Sequence, residues 1–167
     1  MKNLFLLPIL FFMISCTQAQ EKTAFGKEAL EAKMTSVDGK EVAFKDILAQ
    51  YKGKVVVIDV WASWCPDCKK GMPKVHDLQK QFPNVKYLFL SYDRVDEKWK
   101  NGIETFNTKG GDNYHVGTSM KEGAFSKDIV LDWIPRYMVI DKTGKIALFK
   151  AIEADDAKLI ETLKNLK

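Results

Sequence analysis

The sequence predicts an α/β fold, a central mixed sheet flanked by helices with an added N-terminal β-hairpin. Three observations predict it. A β-branched run at 55–61 (VVVIDVW) gives way at 65–82 to apolar residues three and four apart, and a second apolar run, YLFLSY, follows at 87–92. Strand, helix and strand in succession require parallel pairing through a helical crossover. Second, Asp38-Gly39 separates two short strand candidates at 30–34 and 42–44, which is a hairpin signal. Third, 137–140 and 145–149 read as strands joined by Asp-Lys-Thr-Gly at 141–144, a second hairpin. The 46% hydrophobic and 29% charged residues of this 167-residue chain suit one globular domain. A net charge of +4 with scattered lysines gives no nucleic-acid surface.

Taken in order, the chain opens with Lys2 and an uninterrupted apolar block at 4–14. These 11 residues are too few to cross a bilayer, for which about 20 are needed. The block has the length of an export-signal core, so residues 1–19 are set apart from the fold. Two processing sites compete. A cut ahead of Gln20, after Thr17, Gln18 and Ala19, discards Cys16. Alternatively Met13, Ile14, Ser15 and Cys16 are similar to a bacterial lipoprotein box, so that residues 1–15 are removed and Cys16 becomes the lipid-modified first residue. Export places the protein in the periplasm or cell envelope, where disulfides persist.

Residues 20–29 are polar and weakly patterned, and read as a tether to a domain at 30–167. After the first hairpin, 45–51 forms one or two helical turns ending at Gly53. The run at 55–61 lacks polar alternation apart from Asp59 and suits a strand buried on both faces. Helical spacing at 65–82 contains Pro73, expected to kink the helix. A second helix follows at 96–106. Four glycines make 107–123 mostly loop, with a short extended piece at 114–116. A short helix at 125–131, the second hairpin and a closing helix at 155–166 complete the chain, the last with acidic residues at its start and lysines at its end.

The chemistry lies in Cys65-Pro66-Asp67-Cys68, at the junction of a buried strand and a helix. There the helix dipole and unpaired N–H groups favour a thiolate on Cys65. A thiolate attacks disulfides, and a second cysteine one turn later can resolve the mixed disulfide. Pro66 fits the first helical turn, where its missing N–H costs nothing. A structural disulfide and half of a zinc site are the alternatives. Structural zinc takes about four ligands, and the chain adds only His76 and His115, both distant. No cofactor motif appears, and no metal is expected.

The run Val57-Ile58-Asp59-Val60-Trp61-Ala62-Ser63-Trp64-Cys65-Pro66-Asp67-Cys68, with Pro73 and a downstream Trp133-Ile134-Pro135, resembles the thioredoxin superfamily. The export segment and the two hairpins make the chain most similar to extracytoplasmic oxidoreductases of the TlpA and ResA type. The resemblance implies a thioredoxin fold in which Cys65 is the exposed nucleophile and Cys68 the buried resolving thiol. It makes Pro135 the cis-proline facing the pair, and gives Ile134 backbone groups to pair with an extended substrate. Asp59 matches the buried acid beneath the disulfide, with a raised pKa and a proton to exchange with Cys68; a carboxylate satisfied by structural hydrogen bonds is the alternative.

Trp64 matches the aromatic that shields the site, with Pro66 and Asp67 beside it at the substrate, whereas Trp61 belongs to the core and Pro73 to the helix kink. Lys69 and Lys70 are solvated or tune the local potential. Trp133 lines a partner groove or packs in the core. Arg136 departs from the small residue usual in thioredoxin; it stabilises the thiolate, selects acidic partners, or lies at the surface.

The expected function is an exported disulfide reductase, whose partners are disulfide-containing exported proteins and a membrane thiol carrier as electron donor. The reverse electron flow of an oxidase or isomerase is the main alternative, followed by a metal-handling or docking module without turnover. Asp67 opposes thiolate charge on Cys65 and favours the reductase. A peroxidase commonly has Thr three residues before its cysteine, where this chain has Ala62. Contact with a membrane is expected only through a lipid on Cys16.

Overall fold

The computed structural model describes residues 22–166, so the export segment, its cleavage sites and Cys16 lie outside the described residues. In chain order the elements are α1 (Lys27–Glu31), β1 (Lys33–Ser36), β2 (Glu41–Ala43), α2 (Phe44–Ala49), β3 (Val56–Trp61) and α3 (Pro66–Gln81). They continue as β4 (Lys86–Ser91), α4 (Asp96–Phe106), a 3-10 turn (Thr108–Gly110), β5 (Asp112–His115), α5 (Ala124–Asp128), β6 (Arg136–Ile140), β7 (Ile146–Ala151) and α6 (Ala157–Asn165). One seven-stranded sheet has the order β2-β1-β5-β4-β3-β6-β7. The α/β expectation holds, as does the N-terminal hairpin, which joins the sheet through β1.

Every residue of β3 is buried, because the strand lies between β4, which is parallel to it, and β6, which is antiparallel. β5 continues the parallel set on β4. The register brings Trp61, Ser91 and His115 into one row across the C-terminal ends of β3, β4 and β5. The segment leaving β3 toward the two cysteines therefore starts beside the ends of two other strands, where ligands of parallel sheets bind. α3 is one helix with Pro73 inside it.

The stretch at 107–123 contains more regular structure than expected. Asn107 adopts a left-handed φ of 53° and ends α4. Asn113 then ties the turn, since its Nδ2 donates to the carbonyls of Thr108 and Gly111, both at 3.0 Å, and its Oδ1 accepts from Thr108 Oγ1 at 2.8 Å. A Cβ on Gly111 would stand 2.3 Å from the Tyr87 carbonyl, so only glycine lets the chain come this close to β4. β5, Asp-Asn-Tyr-His, is a strand because of its partners on both sides rather than its own composition.

The described part of the expected tether is packed against the body. Leu30, read as strand, lies in α1. Phe25 meets Phe44 edge to face with centroids 5.0 Å apart. The Gly26 N–H donates to both oxygens of the Asp128 carboxylate, at 3.1 and 3.2 Å. Lys22 Nζ donates to the Asp128 carbonyl at 2.9 Å, and the Thr23 carbonyl accepts from the Ile146 N–H at 2.8 Å. Phe25 is the large apolar anchor of this segment, and backbone groups and the Asp128 carboxylate supply the rest of the hold. Replacing that acceptor, Asp128→Ala, is expected to cost about 1–3 kcal/mol in urea unfolding and to speed amide exchange at 22–31 before the rest; unchanged exchange there would show that Asp128 is not the anchor.

Candidate active site

Cys65 is the N-cap residue of α3, with φ −84° and ψ 112°, and Pro66 is the first helical residue. The extended backbone at Cys65 turns the chain from β3 into the helix, so that Cys68 follows one turn later. The two are joined as a disulfide with Cα atoms 5.3 Å apart. The Cys68 N–H donates to Cys65 Sγ at 3.0 Å, one of the free N–H groups of the first turn directed at sulfur. Cys65 Sγ lies 3.5 Å from the Ile134 carbonyl oxygen, on the loop whose Ile134–Pro135 peptide bond is cis. The expected contact between the pair and the proline loop is therefore present.

The resemblance gave Cys65 as the exposed member of the pair. In the disulfide it is 1% exposed, against 0% for Cys68. The difference is small because Cys65 packs in the angle between the helix start and the proline loop. Pro66, Asp67, Lys69 and Lys70 are exposed around it. Trp64 is half exposed, its Nε1 donating to the Tyr92 carbonyl at 3.3 Å. Trp133 is 57% exposed, which excludes core packing for it, while Trp61 is wholly buried against Phe106.

Asp59 projects from the middle of β3, is 1% exposed, and neither of its oxygens has a hydrogen-bond partner among the described residues. The alternative of a carboxylate held by structural hydrogen bonds does not fit that isolation. Burial alone pushes its pKa up to about 8, because a charged carboxylate cannot be solvated there. A carboxyl near neutrality in its proton affinity is suited to exchanging a proton at ordinary pH.

Two clamps that sequence reading missed hold the loops on either side of the sulfurs. Asp93 follows β4 and is 5% exposed. Its Oδ1 accepts from Ser63 Oγ at 2.6 Å, and its Oδ2 accepts from the Ser63 N–H at 3.0 Å and from Ser91 Oγ at 2.8 Å. The carboxylate thereby pins residues 62–64 ahead of Cys65. Its sequence signal is a polar Ser-Tyr-Asp directly after an apolar strand, at the carboxyl end of a parallel strand.

The second clamp is Arg136, expected at the surface or at the thiolate. It is 0% exposed instead, with Nη1 donating to the Ile129 carbonyl at 2.9 Å and Nη2 to the Val130 carbonyl at 3.3 Å and to the Asp132 carboxylate. These bonds fix the turn at 129–132, including Val130 at φ 48°. They hold the approach to Trp133, Ile134 and Pro135 and consume the charge that would select acidic partners.

A cleft of about 650 Å³ opens beside Trp64 and includes Tyr92, Arg94, His115, Met120 and Lys121. His115 is held within it by the Asp93 carbonyl, 2.6 Å from Nε2, and stacks on Trp99. Among the described residues no group of three or more His, Cys, Asp or Glu side chains is placed to hold a metal ion.

The Asp59 carboxyl ties stability to pH. Its proton is held up to about pH 8 in the folded chain but only to about pH 4 in the unfolded one. Between these values the folded state binds the extra proton, so this group's contribution to stability falls as pH rises. Asp59→Asn removes the dependence: at pH 8 the variant is expected to be more stable than the native chain by on the order of a few kcal/mol. The gain should shrink toward pH 4 in urea unfolding of the oxidised forms, and a pH-independent difference would contradict the assignment.

Residues 53–146 match the family described as Thioredoxin-like. The Thiol-disulfide oxidoreductase ResA of Bacillus thuringiensis subsp. konkukian is 30% identical over 149 residues, spanning 88% of this chain and 81% of the relative. The Thiol:disulfide interchange protein DsbE of Haemophilus influenzae is 24% identical over 178 residues, spanning 98% and 94%. Among solved structures, a thiol-disulfide oxidoreductase from Bacteroides fragilis shares the fold with a TM-score of 0.68, at 22% identity over 84% of this chain and all of the other. A family match over more than half of the chain, a 30% identical relative over most of it and a disulfide at the strand-to-helix junction agree: the chain belongs to the Thioredoxin-like family, as a thiol-disulfide oxidoreductase of the ResA and DsbE type.

Proposed function

We propose that the protein is an exported disulfide reductase acting on disulfide-containing exported proteins. The observation that carries the direction is what surrounds Cys65. One N–H, from Cys68, is directed at its sulfur, while the Ile134 carbonyl oxygen lies 3.5 Å away and the carboxylate of Asp67 stands in the first turn. Negative oxygen near sulfur opposes a thiolate, and strong oxidants are those that stabilise their reduced thiolate form. Such a site holds its electrons weakly and passes them on.

In the proposed cycle the Cys65 thiolate attacks a partner disulfide and forms a mixed disulfide, and the partner's second sulfur leaves as a thiolate. Asp59 takes the proton of Cys68, whose sulfur attacks Cys65 Sγ and releases the partner's remaining thiolate. The partner gains two electrons and the Cys65–Cys68 disulfide re-forms, to be reduced by a membrane thiol carrier. Trp64 and Trp133 offer the partner exposed aromatic surface beside the pair, and Ile134 its backbone. The apolar block at 4–14 supports export to the periplasm or cell envelope, with anchorage through Cys16 as the lipidated form of the same proposal.

The test is the reduction potential together with a trap. A value near −270 mV is expected, about that of thioredoxin, and a value near −120 mV would make the protein an oxidase instead. Cys68→Ala should accumulate covalent adducts that dithiothreitol releases, and failure to form any would remove the catalytic reading. Asp67→Asn relieves the repulsion on the thiolate, and is expected to raise the potential by about 10–30 mV; no change would show that Asp67 does not set the direction.

A further inference from the structure

Tyr137 stands opposite Asp59 in the antiparallel pairing of β3 with β6, and paired residues of neighbouring strands project from one face of a sheet. Each is 1% exposed. Like the two Asp59 oxygens, Tyr137 Oη has no hydrogen-bond partner among the described residues. Buried polar atoms are nearly always paired, so two adjacent exceptions require a reason. α3 covers this face, since a Cβ on Gly71 would stand 3.4 Å from Tyr137 Oη. Gly71 follows Cys68 by three residues and shares its helix face. The phenol is longer than the aspartyl side chain, and its hydroxyl reaches α3 at Gly71. A water between them would have both groups as hydrogen-bond partners.

On the side of Tyr137 away from Asp59 lies β7, the edge strand of the sheet. Tyr137 pairs with Ala151 at the end of β7, and the chain leaving β7 carries Glu153 and Asp155, both bound by Lys74 Nζ of α3 at 2.8 and 3.1 Å. The negative charges of Asp59, Glu153 and Asp155 all bear on the phenol.

We propose that Tyr137 is the outer member of a buried proton path, holding Asp59 through a bridging water and passing protons between Asp59 and the surface at Glu153 and Asp155. The inference rests on the proposed role of Asp59 as base for Cys68. As Cys68 Sγ bonds Cys65 Sγ and the partner's thiolate leaves, the Cys68 proton goes to Asp59. It then leaves through the water, Tyr137 taking up one proton and releasing its own outward, so the hydroxyl ends unchanged. Tyr137 touches no reacting sulfur and is a positioning residue. The titratable and charged groups around the path are Cys65, Cys68 and Lys74 of α3, Tyr137 of β6, and Glu153 and Asp155 after β7.

The test is Tyr137→Phe with two readouts, the titration of the Asp59 carboxyl by carbon-13 NMR and the pH profile of oxidation by oxidised glutathione. Cys68→Ala reports the first attack alone, so the resolving step is read separately. Loss of the phenol donor is expected to raise the Asp59 midpoint by about one pH unit and slow resolution at pH 7 about tenfold, with the first attack unchanged. Gly71→Ala places a methyl against Tyr137 Oη and favours the helix, so it should move the midpoint the same way and serves if Tyr137→Phe does not fold. An unmoved midpoint and rate in the variants that fold, with resolution slowed by Asp59→Asn, overturn the role of Tyr137 and leave that of Asp59. Wild-type resolution at every pH in Asp59→Asn overturns both.

Discussion

The burial of β3 on both faces is the constraint from which the rest of the site follows. A strand enclosed by β4 and β6 is buried at all six of its residues. It therefore delivers the chain to α3 from a fixed platform. The same enclosure makes Asp59 an acid that keeps its proton near neutrality, because desolvation is the whole cause of its shift. The fixed platform that leads to the sulfur pair and the raised proton affinity of Asp59 are thus two results of one packing arrangement.

Charge holds the loops that packing cannot. The segments before Cys65 and before Pro135 are irregular, and each is secured by one nearly buried ion, Asp93 or Arg136. Both ions meet backbone groups as well as side chains, which fixes the course of the chain and not merely the neighbouring rotamers. Removing one partner from such a bond leaves a buried polar group unpaired. The two clamps grip opposite sides of the disulfide and are independent of each other in sequence.

The sequence made legible what depends on local pattern. The apolar runs of β3 and β4, the spacing of α3 and the Asp-Gly and Thr-Gly turns all carry their structure in neighbouring residues, and the cysteine pair with Pro135 identified the site. It did not show what depends on distant partners. β5 is polar and becomes a strand through β1 and β4 on its flanks, and the stretch before β1 docks through Phe25 and Asp128. Arg136 read as a thiolate or partner contact or a surface residue, because nothing nearby in sequence shows that the carbonyls of 129 and 130 accept from it. Tyr137 read only as part of a strand, since its relation to Asp59 exists in the register alone.

The docking of residues 22–31 also sets the length of any leash. If Cys16 carries a lipid, five residues separate it from Lys22, which already bonds to Asp128 at the end of α5, and the six residue-to-residue steps reach at most about 22 Å. A free segment through residue 29 would have allowed about twice that span. The lipidated protein would then work within a shallow layer above the bilayer, with the α1 and α5 end tethered first. Since α5 leads within a few residues into the proline loop, a donor or partner in the same membrane would meet the disulfide by rotation of a short-moored body rather than by long-range search.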